Sequence, residues 1–216
     1  MTRIVNIGEA LIDEITRPNS EPVEVVGGSM LNVAAGLTRL GHESELATWF
    51  GRDARGNKVR AHAEAAGVTL TPGSDGADFT TVAHANLDER GRATYEFDLS
   101  WDVPAVEDPD SVGHVHTGSY AVVLEPGADK VLAAVKRQAI RGTVSYDPNI
   151  RPALLGTPDE SRPHIEAIVA LSDVVKASDE DLEWLYPGRP VEDVIREWAQ
   201  SGPSLILCTR GPWGVY

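Results

Sequence analysis

Short apolar runs recur along this chain, and a stretch of helical periodicity follows most of them. Ile4–Ile7, Leu46–Phe50, His114–Thr117, Thr143–Tyr146, Val174–Val175 and Leu205–Cys208 read as strands. Residues 28–40, 54–66, 127–140, 160–171, 179–185 and 191–199 read as helices. In the first of these, Met30, Val33, Ala34, Leu37 and Leu40 fall on one helical face. Brief apolar strands alternating with helices leave little architectural freedom. They build βαβ units, and the resulting parallel sheet is buried under helices on both sides. The expected fold is therefore α/β, a doubly wound, mostly parallel α/β/α sandwich.

Two stretches break the rhythm. Residues 11–26 and 79–99 read as strands with no helix between their parts, and "DERGR" carries a hairpin signal within the second. A small separate sheet is expected from about 11–26 and 79–101, inserted in a single domain spanning 1–216. Such a sheet beside a doubly wound domain is a lid, with ligand held between the two, beyond the carboxyl ends of the main strands.

Composition narrows the function classes. A chain of 216 residues buries about 70% of its extended surface and needs no staples. Its single cysteine, Cys208, permits no intramolecular disulfide and sits in an apolar run, as a core residue does. The net charge of −14 repels nucleic acid and anionic membranes. No run reaches the ~18 apolar residues of a membrane span, and acidic residues interrupt the apolar start, unlike a secretory leader. A cytoplasmic protein with no nucleic-acid or membrane partner is expected.

Six stretches carry polar residues where strands or turns end. "GGSMLNVAAGLTRLG" opens a helix at Gly27 and Gly28, whose first-turn amides and Asn32 can meet a hydroxyl-rich ligand. Asp13, in "GEALIDEI", is a carboxylate able to accept from two neighbouring hydroxyls or to stay solvated at a strand end. "GRDARG" places Asp53 to cap the following helix. "SYDPNIRP" leaves a strand through a proline-stiffened loop that presents Asn149 and Arg151. "VVKASDEDLEWL" sets Lys176 at a strand end, with Ser178 and Asp181 spaced as a capping box. Asp181 has a second reading, ordering water around magnesium. In "TRGPWGVY", Thr209, Gly211 and Gly214 are spaced to form a backbone nest for phosphate.

In this order the motifs resemble the PfkB, or ribokinase, family of carbohydrate kinases, and the likeness covers the whole chain. The 27–41 stretch resembles the family's first signature; "DPNIR" is similar to the form of its fructokinase and 2-keto-3-deoxygluconate kinase branches; "TRGPWG" looks like its Thr-x-Gly-x-x-Gly nucleotide loop. Where the family commonly has Asn-x-x-Glu, this sequence reads Ser178 to Asp181. The resemblance implies a ribokinase-like fold and ATP-dependent phosphorylation of a sugar. Asp13, Gly27, Gly28, Asn32, Asn149 and Arg151, with Trp101 from the lid, would contact the sugar; Lys176, Ser178, Asp181, Thr209, Gly211 and Gly214 would serve ATP and Mg2+.

The family's second signature, Asp-Thr-x-Gly-Ala-Gly-Asp, supplies the catalytic base and does not occur in residues 1–216. The chain is expected to be a truncated member without its C-terminal part, carrying no catalytic residue of its own. The alternatives are a non-catalytic sugar-binding fragment and a nucleoside kinase of the same fold, for which Trp101 would be the base platform. No G-x-G-x-x-G follows the first strand, which disfavours a dinucleotide-binding oxidoreductase. Exposed lid edges are expected to pair across a homodimer.

Overall fold

A computed structural model describes residues 3–88, 93–106 and 112–216. In chain order its elements are β1 (Arg3–Ile7), β2 (Leu11–Thr16), β3 (Val23–Gly27), α1 (Ser29–Arg39), β4 (Ser44–Ala47), α2 (Ala54–Ala65), β5 (Thr69–Leu70), β6 (Val82–Leu87), β7 (Ala93–Asp98), β8 (Val112–Gly118), α3 (Gly127–Arg141), β9 (Thr143–Asp147), α4 (Pro152–Leu155), α5 (Pro158–Val169), β10 (Val174–Ser178), α6 (Asp179–Leu185), α7 (Val191–Ser201) and β11 (Leu205–Thr209). Two 3-10 turns, Ser119–Val122 and Gly211–Trp213, follow β8 and β11.

Seven strands form one sheet in the order β11-β10-β9-β8-β1-β4-β5, and their pairings are parallel. From β1 the chain winds outward through β4 to β5, then returns to the other side of β1 and winds through β8 to β11. The reversal lies between β1 and β8. At such a point the loops leave the strand ends in opposite directions and open a crevice.

Each face of the sheet has its own core. Val5, Ile7, Val115, Val144, Val175 and Cys208 pack with α3, α5, α6 and α7 residues such as Val135, Ile168, Leu185 and Trp198. Leu46 packs on the other side with Met30, Leu31, Ala34 and Val59 of α1 and α2. Cys208 is fully buried, as an inert core thiol is. On β11 the residues facing away from α7 are less covered: Leu205 is 49% and Leu207 37% exposed.

A second sheet, in the order β3-β2-β6-β7, matches the expected lid. Its central pair β2–β6 is parallel and the outer pairs are antiparallel. The turn of the expected "DERGR" hairpin, residues 89–92, lies outside the described residues, although β6 and β7 pair as hairpin arms. Ile12 and Val82 join the α1–α2 core, which ties the lid to the main domain.

Several expectations shift. The strand expected at Leu46–Phe50 is Ser44–Ala47, because its pairing with β1 ends at Ile7 and Ala47. Phe50 instead sends its amide to the Ser74 carbonyl, 2.9 Å away. The inward face of α1 is Met30, Leu31, Ala34 and Ala35, while Leu40 lies past the helix end and is 77% exposed. β10 runs on to Ser178, three residues beyond the expected Val174–Val175, because β11 gives it a partner along its whole length. Among the described residues no helix is long and apolar enough to cross a membrane.

Burial holds one histidine of β8 neutral. His116 accepts from or donates to Ser145 Oγ at 2.8 Å, and burial pushes its pKa from 6.5 down to about 4. The folded state therefore binds fewer protons than the unfolded chain between these values. Stability from this site is intact above pH 6.5 and is lost as pH falls toward 4. Melting curves of wild type and His116→Gln should converge, or cross, as pH is lowered through this window. Parallel curves would contradict the burial of a neutral imidazole.

Candidate functional site

The crevice between β1 and β8 opens into a cleft of about 710 Å³ roofed by the lid, within the usual range for small-molecule sites. Leu11 and Asp13 of β2, Ala83 of β6, and Tyr95 and Phe97 of β7 line it from above. Register explains why these residues gather. Asp13 pairs with Ala83, which pairs with Phe97, so all three point to one face of the lid. Tyr95, two residues from Phe97, shares that face, and the two rings stack at 6.4 Å.

From below, the cleft is lined by Gly28, Ser29 and Asn32 at the start of α1, and by Ser119 and Tyr120 in the turn after β8. Asp147, Asn149 and Arg151 come from the loop after β9. Asn149 holds φ +39° and Ser119 φ +56°, two non-glycine residues in the left-handed region. Strain of this kind gathers at sites where the backbone is held for a purpose.

Asp13 is half-buried, with no hydrogen-bonding partner among the described residues to offset burial. Loss of water pushes its carboxyl up, and the Arg151 charge pulls it back only in part. The carboxylate also needs room. A Cβ on Gly27, paired with Leu11 across the β2–β3 ladder, would come within 2.1 Å of Asp13 Oδ2. Gly27 thus serves the cleft without lining it, by making space for Asp13. Gly28 lines the cleft at φ +111°, but a Cβ there would meet the Glu9 carbonyl at 2.5 Å and Ala10 Cα at 2.8 Å. The side-chain-free position is demanded by the neighbouring backbone rather than by a ligand.

The loop after β9 is held from behind. Asp147 accepts from Asn149 N at 3.2 Å and pairs with Lys176 Nζ at 3.1 Å. Burial raises the Asp147 pKa, and Lys176 opposes the rise. Arg151 donates to the carbonyls of Asn149 and Ile150, which leaves its guanidinium exposed at the cleft mouth.

Asp181 is the anchor of this loop. Its Oδ2 accepts from Ser178 N and Oγ, closing a capping box, and its Oδ1 accepts from Ile150 N at 2.7 Å. Both carboxylate oxygens are thereby engaged, and Asp181 is 8% exposed. The structure favours the capping reading of Ser178 and Asp181 over the magnesium reading. No group of three or more His, Cys, Asp or Glu placed to hold a metal occurs among the described residues. Asp181→Ala removes its half of the capping box and strands the Ile150 amide, so a loss of about 2–4 kcal/mol is expected in thermal or urea unfolding. A loss below ~1 kcal/mol would contradict this anchoring.

Two further expectations are corrected. Trp101 is 4% exposed, with its ring edge-on to Tyr120 and its Nε1 donating to the Ala121 carbonyl at 3.3 Å. It packs beneath the turn after β8 and does not line the cleft, because an indole so placed gains more from burial and a satisfied N–H. The turn at Thr209–Gly214 does not present a row of free amides. Arg210 N donates to the Gly214 carbonyl, Trp213 N to the Arg210 carbonyl and Gly214 N to the Gly211 carbonyl. Thr209 does stand beside Ser178 in register at the carboxyl end of the sheet. None of Thr209, Gly211 and Gly214 lines the cleft.

Sequence reasoning passed over Glu9, Ser119, Tyr120, Asp147, Tyr95 and Phe97. Three of these had a legible signal. Glu9 is an acid between a strand and an apolar stretch, and Tyr95 and Phe97 alternate at the period of one strand face in "ATYEFD".

A model of the pfkB family of carbohydrate kinases matches residues 1–216. The chain belongs to that family. Among curated relatives it is 31% identical over 220 residues to a fructokinase of Klebsiella pneumoniae, covering 97% of this chain and 71% of that one. With a Rhizobium leguminosarum bv. trifolii fructokinase it is 29% identical, covering 98% of this chain and 68% of the relative. Among solved structures, Halothermothrix orenii fructokinase superposes with a TM-score of 0.84 at 22% identity, over 98% of this chain and 81% of that one. The fructose-, ADP- and calcium-bound fructokinase of Vibrio cholerae O395 superposes with a TM-score of 0.80 at 24% identity, over all of this chain and 72% of that one. The ribokinase-like fold expected from the sequence is thus established, and fructokinases are prominent among its relatives.

Proposed function

We propose that this pfkB family member is an ATP-dependent sugar kinase of fructokinase type, and that the cleft under the lid is its sugar site. The observation that carries the reading is Asp13. It is a half-buried carboxylate, raised in pKa by desolvation and facing the cleft. A fold carries such a group for function more readily than for stability. Asp13 accepts from two hydroxyls, Asn32 adds a donor and an acceptor, and Tyr95 and Phe97 cover the apolar face of the sugar. Phosphoryl transfer needs positioning and charge neutralisation more than covalent chemistry from the protein. Arg151 and Lys176, on the β9 side of the cleft, supply positive charge toward a nucleotide's phosphates. Magnesium arriving with the nucleotide would supply further neutralisation of that charge. With both Asp181 oxygens engaged, the nucleotide rather than a carboxylate cluster would be its main holder.

At the β3 edge of the lid, the face that carries Asp13 also exposes Val23 and Val25, which are 51% and 48% exposed. We assign this edge to a second copy of the chain, packing lid against lid.

The reading is tested by ADP release with ATP, magnesium and a panel of fructose, glucose, 2-keto-3-deoxygluconate and adenosine. Turnover with fructose above the others is expected. Turnover with adenosine alone would instead favour a nucleoside kinase, with Tyr95 and Phe97 as the base platform.

A further inference from the structure

The floor of the cleft holds a second acid whose surroundings differ from those of Asp13. Glu9 lies between β1 and β2, lines the cleft and is 4% exposed. Its Oε1 accepts from both Ser29 N, at 3.2 Å, and Ser29 Oγ. Its Oε2 is buried and has no hydrogen-bond partner among the described residues. A carboxyl with one oxygen doubly satisfied and the other bare has the hydrogen-bonding pattern of a neutral acid. The Ser29 side resembles its carbonyl, and the bare side is where a hydroxyl proton would sit.

We propose that Glu9 is a specificity residue of the sugar site, a neutral hydrogen-bond donor to one oxygen of the bound sugar. The inference rests on the sugar-kinase reading. Ser29 faces Glu9 from α1, and Ser119 and Tyr120 face it from the turn after β8. The charged groups of the same cleft are Asp13, Asp147 and Arg151. Burial is the largest influence on Glu9 and raises its pKa, with the Ser29 hydrogen bonds and the nearby Ser119 hydroxyl opposing the rise. The Arg151 charge pulls the Asp13 pKa back down. The two acids therefore divide the work. Ionised Asp13 accepts from hydroxyls, whereas Glu9 gives a proton to an oxygen lone pair. A sugar lacking that oxygen leaves a buried donor unpaired, and discrimination against such an analogue is strong for that reason.

The test compares wild type, Glu9→Gln and Glu9→Ala in two measurements. Calorimetric binding is read with fructose and a set of singly deoxygenated fructoses. Gln keeps an oxygen for Ser29 and an N–H donor, so its affinities should stay within about threefold of wild type. Ala should weaken fructose about tenfold while leaving the affinity for one deoxy analogue unchanged. Equal weakening of every analogue by Ala, or Gln as damaging as Ala, overturns the proposal.

The second measurement needs no sugar. A carboxyl with a raised folded pKa contributes stability that is full below its ordinary value of 4.5 and is lost as pH rises through the folded value. Gln does not titrate, so its melting temperature relative to wild type should climb as pH rises. A difference that stays flat with pH means an ionised Glu9 and overturns the donor role. Wild type that binds no sugar in calorimetry, yet shows the climbing difference, would instead sink the sugar-kinase reading and the ligand assigned to Glu9.

Discussion

Asp13→Asn weakens fructose binding roughly 10- to 150-fold, the cost of about 1.5–3 kcal/mol for a lost charge-assisted hydrogen bond, and does so without loosening the fold. The second half of that expectation separates a binding residue from a structural one. Burial raises the Asp13 pKa, so the folded protein holds this charge at some cost. Asn relieves the cost while keeping the shape that Gly27 accommodates. The melting temperature of the variant should equal or exceed that of wild type near neutral pH. Acidification should act on wild type as the mutation does. The carboxylate is the binding form, so affinity is full well above its raised folded pKa and is lost as pH falls through it. Calorimetric titration of fructose into both proteins across pH reads the two effects together. Unchanged affinity in Asp13→Asn would remove Asp13 from the site.

Gly28→Val has the opposite signature. A Cβ there meets the Glu9 carbonyl at 2.5 Å and Ala10 Cα at 2.8 Å, and the residue sits at φ +111°. Backbone lies on that side, and backbone cannot swing aside as a flexible side chain does. A β-branched residue adds strain at a positive φ to that clash. A loss of about 3 kcal/mol or more is expected, seen as a large fall in melting temperature or as failure to accumulate folded protein. Whatever fraction folds should also bind sugar poorly, because Glu9 and the first turn of α1 move together through Ser29. Normal stability with a purely local loss of sugar affinity would show that the close approach at Gly28 is made by ligand instead.

Much of the architecture was legible because it rests on periodicity. The strands of the large sheet are short and set between helical stretches, so β11 stands out as an unbroken apolar run and β1, β8 and β9 as brief β-rich stretches around Val5, Val115 and Val144. β5 escaped notice because two residues carry no period. The strand after α1 was placed late because Trp49 and Phe50 continue the apolar run of Leu46 and Ala47 beyond the last β1 partner. Which face of α1 is buried depends on how the helix tilts onto β1 and β4, and a helical wheel does not contain the tilt.

At the site, residues whose role depends on chain-local geometry were readable. Asp53 caps α2 as expected, its carboxylate accepting from Gly56 N at 2.7 Å. Ser178 and Asp181 form the box that their spacing suggests. The additional bond from Asp181 to Ile150 spans two strands and was invisible in the sequence. Trp101 was misplaced for the same reason. An aromatic near a lid has two ways to be useful, and only the packing against Tyr120 and Ala121 decides between them. Glu9 and Asp13 lie four residues apart in one motif, yet one sits at the floor and the other in the roof of a cleft, because β2 leaves the main sheet for the lid between them.

The most direct test of the account is a crystal structure of the protein grown with fructose. The account predicts one fructose in the cleft under β2, β6 and β7, with two hydroxyls within hydrogen-bond distance of the Asp13 carboxylate, a third group on Asn32, and Tyr95 and Phe97 over its apolar face. Fructose bound elsewhere, or a cleft left empty at saturating sugar while Asp13 keeps its present position, would contradict it.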